Sequence, residues 1–168
     1  ISHGDKGIVI TSVSEGASTS SVSPAVLVLG VSIALPAVSQ ARQNAKMVVG
    51  AHSLFSLGTS AILWSAENSD VYPPDLAAIV AGGHNPALLR SPFNAAPAPK
   101  LVDGKLVGES DYVYIKPGKD AASSTIMAYL KPQFAVQGRV PVLFVDGHVE
   151  QWSVWRLEQA LKAPAGAD

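Results

Sequence analysis

The pattern of apolar positions is helical over residues 24–67. Ser23 is a suitable N-cap, because its hydroxyl accepts a hydrogen bond from a free backbone amide, and Pro24 suits the first helical position. Two apolar stripes recur at helical spacings and together predict one face wide enough to cover a sheet. The stripes are Ala41, Ala45, Val48, Phe55 and Ile62, and then Leu54, Leu57, Ala61 and Trp64. Pro36 removes one backbone hydrogen bond, so a kink or local melting is expected near it.

The start of this predicted helix is much more apolar than its end. Residues 16–41 carry no charged side chain, and the apolar centre of this run is residues 25–38. That centre is shorter than the roughly 20 apolar residues that a single membrane-spanning helix needs. It therefore suits a helix that packs against copies of itself, with these residues as the predicted assembly interface: Val26, Leu27, Val28, Leu29, Ile33 and Leu35.

Residues 1–23 form a predicted N-terminal arm. The run 7–13 is rich in β-branched residues, including Ile8, Val9 and Ile10, and a linker rich in Ser, Thr and Gly follows it at 14–23. A strand this short needs the edge of a sheet to be stable. The arm is therefore a candidate for pairing with a neighbouring subunit. Because the sequence begins with Ile1, we expect that residues upstream were processed or omitted.

Residues 68–168 predict a globular head of loops, antiparallel strands and a final helix. A short helix is expected at 75–81, strands at 111–116 and 125–130, and an amphipathic helix at 153–162. Asp103-Gly104 predicts one tight hairpin. A second hairpin is expected from strands 142–145 and 148–152, joined by a two-residue turn at Asp146-Gly147 with positive φ at both positions.

Composition excludes several classes of chemistry. The 168 residues include no cysteine, so disulfides, thiol nucleophiles and cysteine-ligated metals are excluded. With 12 basic and 13 acidic side chains there is no basic field, and nucleic acid is not an expected partner. No nucleophile-elbow, phosphate-loop or zinc-ligand spacing occurs, so we expect no enzymatic activity, cofactor or small-molecule substrate. Asp103, Glu109 and Asp111 are the one oxygen-rich group considered for calcium, against a plain charged hairpin.

Three stretches together resemble the type IV pilins and the pseudopilins of type II secretion. They are IALPAVSQARQNAK at 33–46, LGTSAILWSAENSDVYPPDLAAIV at 57–80, and VLFVDGHVEQW at 142–152. The last is similar to the H-X9-DG tail of such proteins, with Val136 in place of the histidine. The Phe-Thr-Leu-x-Glu processing site of the family is absent from the sequence.

The resemblance implies an α+β fold in which a long N-terminal helix packs on a small antiparallel sheet beside a short C-terminal helix. It implies a non-enzymatic subunit of an extracellular pilus-like filament or pseudopilus, whose partner is itself and which the cytoplasmic membrane anchors before assembly. Calcium binding near the C-terminal sheet is a further feature of some pseudopilins. Two alternatives remain: a membrane-anchored minor pseudopilin-like component of a secretion system, and a secreted ligand-binding protein or enzyme on a pilin-like scaffold.

Overall fold

The computed structural model describes the backbone of residues 24–162 and the side chains of residues 37–162. The predicted arm with Ile8, Val9 and Ile10 lies outside the described residues. So do the side chains of the predicted interface, Val26, Leu27, Val28, Leu29, Ile33 and Leu35. The chain divides into two compact units, Ile1–Ala37 and Val38–Asp168.

Helix α1 runs over Pro24–Glu67 as one 44-residue element. It continues through Pro36, so the local melting expected there is absent, because one lost hydrogen bond does not end so long a helix. The helix ends where Ser69 and Asp70 adopt positive φ. The Asp70 amide donates to the Ser65 carbonyl at 2.9 Å, and the Asn68 amide side chain caps the Trp64 carbonyl at 2.7 Å.

Short helical elements follow α1 before the strands begin. Helix α2 spans Leu76–Ala81, and its N-cap Asp75 accepts a hydrogen bond from the Ala78 amide at 2.8 Å. One 3₁₀ turn lies at Pro86–Leu89, before the strands, and another lies later in the chain, at Pro132–Phe134, between two strands. Asp75 and Asn85 each cap the element that follows, so side-chain capping sets the path of this loop-rich region.

Six strands form two antiparallel sheets in the described part of the chain. The smaller sheet pairs β1 (Lys100–Val102) with β2 (Lys105–Val107). The larger is a meander in the order β3-β4-β5-β6, with bounds Tyr112–Tyr114, Ile126–Leu130, Arg139–Phe144 and Val149–Ser153. Helix α3, Val154–Lys162, follows β6 directly. The predicted α+β class, with a long helix, a small antiparallel sheet and a short C-terminal helix, is confirmed at this level.

The core of the second unit lies between α1 and the larger sheet. Leu54, Leu57 and Ala61 of α1 are buried together with apolar residues of β4 and β5 and with Leu157 of α3. Gly58 marks the closest approach of helix and sheet, because a Cβ there would stand only 2.9 Å from Leu143 Cδ1. A glycine is therefore needed at this position for the helix to sit as close to β5 as it does.

The two Asp-Gly pairs form different turns. Asp103 and Gly104 both have positive φ (48° and 73°) and join Val102 to Lys105, so the predicted two-residue hairpin is confirmed. At the second pair, only Gly147 has positive φ (89°).

The predicted two-residue turn at Asp146-Gly147 is therefore wrong. Residues 145–147 form a three-residue loop, in which the Gly147 amide donates to the Phe144 carbonyl at 2.9 Å and the Phe144 amide donates to the His148 carbonyl at 3.0 Å. A tight turn followed by one residue in the left-handed region needs only that residue, Gly147, to be glycine. The strands accordingly end at Phe144 and begin at Val149, one residue away from each predicted bound.

Candidate functional site on helix α1

The two apolar stripes of α1 lie on different faces of the helix. Leu54, Leu57 and Ala61 of the second stripe are buried against the sheet, as predicted. In the first stripe, Val48 is 70% exposed and Phe55 is 54% exposed. Val48 and Leu57 are nine residues apart, which is two and a half turns at 3.6 residues per turn, so they point in opposite directions. The prediction that both stripes form one sheet-covering face is therefore wrong.

The exposed stripe defines an outer face of α1. Its members recur every three or four residues and are Val38, Ala41, Ala45, Val48, His52, Phe55, Thr59, Leu63 and Ala66, with Val49 at its edge. All of them are exposed, and none carries a formal charge apart from the titratable His52. A surface helix of a soluble domain ordinarily places charged and polar residues on the side away from the core. An apolar outer face of this length indicates a surface that another molecule covers.

The hydroxyl groups of α1 do little to make this face polar. Thr59, on the outer face, donates its hydroxyl to the Phe55 carbonyl at 3.0 Å. Ser53 and Ser60 bond in the same way to the carbonyls of Val49 and Ser56, at 3.1 and 3.0 Å. Such bonds satisfy the hydroxyl protons within the helix. The helix therefore presents methyl groups and rings to the outside rather than hydrogen-bond donors.

A buried histidine packs beside the inner part of α1. His84, in the loop after α2, is 4% exposed, and its Nδ1 lies 3.1 Å from Ser60 Oγ. Ser60 Oγ also lies 3.0 Å from the Ser56 carbonyl, to which it donates, and His84 Nε2 is buried without a hydrogen-bond partner among the described residues. Burial lowers the pKa of His84. Local sequence patterns do not indicate this contact, because Ser60 and His84 are 24 residues apart in the chain.

The oxygen-rich group considered for calcium is not brought together. Asp111 is buried, and its carboxylate accepts hydrogen bonds from Arg90 at 2.7 Å, from the Ser91 amide at 2.7 Å and from the Asn94 side chain at 2.8 Å. Glu109 points to solvent and lies 3.8 Å from Lys131 Nζ. Within residues 37–162, no three His, Asp or Glu side chains converge as metal ligands would. Asp111 instead anchors the loop after the first 3₁₀ turn to the start of β3.

A second polar cluster lies on the terminal hairpin and is centred on His148. Its ring stacks on Phe144 with centroids 4.3 Å apart, while Nδ1 contacts Asp146 and Nε2 lies 3.5 Å from Glu150. Hydrogen bonds from the backbone and side chain of His148 lower the pKa of Asp146. The cluster continues to α3.

Glu150 links the hairpin to α3. Its carboxylate accepts a hydrogen bond from Trp152 Nε1 at 2.6 Å, which lowers the Glu150 pKa, and the Arg156 guanidinium lies 3.9 Å from the centroid of the Trp152 ring. Asp146, His148 and Glu150 are all partly exposed on a convex hairpin. The contacts of Arg156 with Glu150 and Trp152 connect β6 to α3.

Within the described residues, Ala37–Glu67 is long and apolar enough to cross a membrane by length and composition alone. About a third of its most apolar window is buried inside the domain, where Leu54, Leu57 and Ala61 pack on the sheet. The core helix of a soluble domain meets the same criterion. The finding is therefore weak support for membrane anchoring.

No protein-family model matches the sequence, and no curated protein or solved structure matches the chain. The function proposed below therefore depends on the residues of this chain and on the pilin-like resemblance of its sequence.

Proposed function

We propose that this protein is a non-enzymatic structural subunit of an extracellular pilus-like or pseudopilus filament, which assembles with copies of itself through helix α1. The observation that carries the proposal is the uncharged, exposed outer face of α1, on the opposite side of the helix from its own sheet. The predicted location is the cell envelope or cell surface, with membrane anchoring before assembly.

The outer face has the properties of a helix-packing seam. Its apolar residues recur every three or four positions, which is the spacing that lets one helix pack lengthwise against another. Burying apolar surface contributes about 25 cal/mol per Å², so covering Val48, Phe55 and Leu63 favours association. A contact between different surfaces of neighbouring copies that does not close into a ring generates an open helical polymer.

The sequence extends this seam toward the N-terminus. The same helix continues to Pro24, and the predicted interface residues, from Val26 to Leu35, lie along that continuation. Arg42 and Lys46 separate residues 25–38 from a second stretch without formally charged residues, 47–66, which is followed by Glu67 at the end of the helix. Apolar residues therefore predominate in both stretches.

A charge on the outer face tests the proposal. Phe55→Glu should prevent assembly, because an unpaired carboxylate would be buried between helices at a cost of several kcal/mol. Gln159→Glu is a matched control, since it adds the same charge at an exposed helical position on α3. Negative-stain microscopy and sedimentation of purified polymers measure assembly, and circular dichroism confirms that both variants fold. Normal filaments from Phe55→Glu, or no polymer from the unaltered chain, would contradict the proposal.

The second candidate is a membrane-anchored, minor pseudopilin-like component of a secretion system. The length and apolarity of Ala37–Glu67 favour it, because they are compatible with membrane anchoring. It differs from the first candidate in a simple way: the unaltered chain would remain in the membrane fraction and form no polymer of its own. Fractionation of cells that express the chain, followed by microscopy of sheared surface material, separates the two.

A further inference from the structure

An open cleft of about 390 Å³ lies where α1 enters the domain. One wall is a single turn of the helix with Arg42, Gln43 and Lys46, and the opposite wall is formed by Phe93 and residues 135–137. The lining therefore holds two cations, two side-chain amides and an apolar surface, and it contains no carboxylate.

The two cations of the cleft, like most basic side chains among residues 37–162, have no carboxylate within 4 Å, and three basic residues are exceptions. Arg90, Lys131 and Arg156 each lie within 4 Å of a carboxylate. Arg42 and Lys46 form no ion pair with a carboxylate among residues 37–162, and Lys46 Nζ instead lies 5.3 Å from the centroid of the Phe93 ring. Like charges four residues apart on a helix repel each other. An anion seated between them would turn that repulsion into attraction.

The lining of the cleft and its position in the sequence favour one class of anion. Gln43 and Gln137 supply further hydrogen-bond donors, and Phe93 and Val136 provide an apolar wall beside them. In the sequence, Arg42 follows the apolar run 25–38 by four positions. Basic side chains close to an apolar segment are attracted to the anionic headgroups at a membrane surface.

We infer that this cleft binds the phosphate group of an anionic phospholipid while α1 is anchored in the membrane. The inference depends on the membrane-anchored stage of the proposed function. Arg42 and Lys46 hold the phosphate, Gln43 and Gln137 donate to its oxygens, and Phe93 lies beside the glycerol backbone. The cleft needs only a weak affinity for the phosphate group, because anchoring of α1 in the bilayer makes contact with a lipid headgroup effectively intramolecular.

The reactivity of Lys46 provides a site-specific test. The full chain is reconstituted in nanodiscs of phosphatidylcholine alone or of phosphatidylcholine with phosphatidylglycerol, and lysine acylation is followed by mass spectrometry. Lys119, exposed in a loop outside the cleft, is the internal reference. Lys46 should react about fivefold more slowly, relative to Lys119, in the discs that contain phosphatidylglycerol. That factor corresponds to the roughly 1 kcal/mol by which an anionic membrane surface attracts one basic side chain.

Two variants and a soluble anion complete the design. Arg42→Gln should remove the protection of Lys46, because a single cation holds the phosphate poorly, whereas the control Lys116→Gln, at an exposed position outside the cleft, should keep it. Equal Lys46 reactivity in the two kinds of disc would overturn the inference while leaving filament assembly untouched. Full protection by inorganic phosphate or by a second copy of the chain, without lipid, would overturn the lipid assignment. Failure of the chain to enter nanodiscs would overturn the anchored stage and the inference with it.

Discussion

The inner and outer faces of α1 are both mainly apolar, but the inner face is buried and the outer face is exposed. Leu54 and Leu57 on the inner face are almost completely buried against the sheet, whereas Val48 and Phe55 on the outer face are more than half exposed. In an ordinary surface helix, the positions of Val48 and Phe55 would be polar. Stability of the folded domain requires only the burial of Leu54 and Leu57.

The difference separates two roles within one helix. Inner-face residues contribute to folding of the single chain, whereas outer-face residues are exposed and lie outside the hydrophobic core of the described residues. Exposed apolar side chains weaken solubility without adding to the stability of the fold. Their presence along the helix is explained if the outer face is buried in an assembly, as proposed.

Truncation of one apolar side chain on each face of α1 gives the largest predicted contrast. Leu57→Ala should lower the free energy of unfolding by about 2–5 kcal/mol, because it removes buried methyl groups and leaves a cavity at the sheet. Val48→Ala, on the outer face, should change it by no more than about 0.5 kcal/mol. Urea denaturation of the monomeric chain measures both values. Similar losses at the two positions would mean that the outer face is also covered within the monomer.

The two hairpins provide a second, smaller contrast. Gly147→Ala should cost about 1–2 kcal/mol, because alanine is strained at positive φ and its Cβ would lie 3.4 Å from Ile62 Cδ1 of α1. Gly104→Ala meets the same strain, but a Cβ there has no neighbour within 4 Å and the β1–β2 hairpin can open locally. Its effect on global unfolding should be under about 0.5 kcal/mol. Equal decreases in melting temperature for the two variants would show that the β1–β2 hairpin unfolds together with the core.

His84 gives the inner side of α1 a dependence on pH. Because burial lowers its pKa below the ordinary value of 6.5, the folded state binds fewer protons than the unfolded state just below that pH. Stability is complete above pH 6.5 and falls as the pH is lowered through the folded-state pKa, by at most ~1.4 kcal/mol per pH unit.

The experiment that tests this compares, between variants, the slope of the unfolding free energy against pH and not the absolute free energy. His84→Leu should flatten the dependence of the unfolding free energy on pH just below 6.5. Substitution of exposed His52 by Leu serves as the control and should leave that slope in place. The lowered pKa values of Asp146 and Glu150 also reduce stability in acid, but they act at lower pH, below the ordinary values of 3.8 and 4.5. An unchanged slope in His84→Leu would show that His84 does not titrate with folding.

Much of the fold could be predicted because its signals are local. The start of α1 at Pro24, the helical spacing through residue 64 and the strand-forming runs of the head all follow from short-range patterns. The Asp-Gly dipeptide marked both hairpin loops but fixed the loop length only at Asp103-Gly104. At Asp146-Gly147, the Asp146 carboxylate accepts from the His148 amide at 3.1 Å within the longer loop. The dipeptide alone does not distinguish the two outcomes.

The candidate site was harder to predict because it depends on which face the sheet covers. Both stripes of α1 are apolar, so periodicity could not show that Leu57 is inside and Phe55 is outside. Local spacing likewise suggested calcium ligands at Asp111, whereas its partner Arg90 lies 21 residues away in the chain. Contacts between distant segments decide both cases, and a single sequence does not contain them in readable form.

Burial of the outer face on assembly is the central claim, and the absence of cysteine from the sequence allows a direct measurement of it. Val48→Cys and, as a control in an exposed loop, Ser123→Cys each introduce a single thiol. The rate of thiol alkylation is compared between assembled polymers and monomers dispersed in detergent. The account predicts that Val48→Cys reacts at least about tenfold more slowly in the polymer, because the reagent reaches a buried thiol only through local opening, while Ser123→Cys is unaffected. Equally rapid alkylation of Val48→Cys in polymers and monomers would contradict the account.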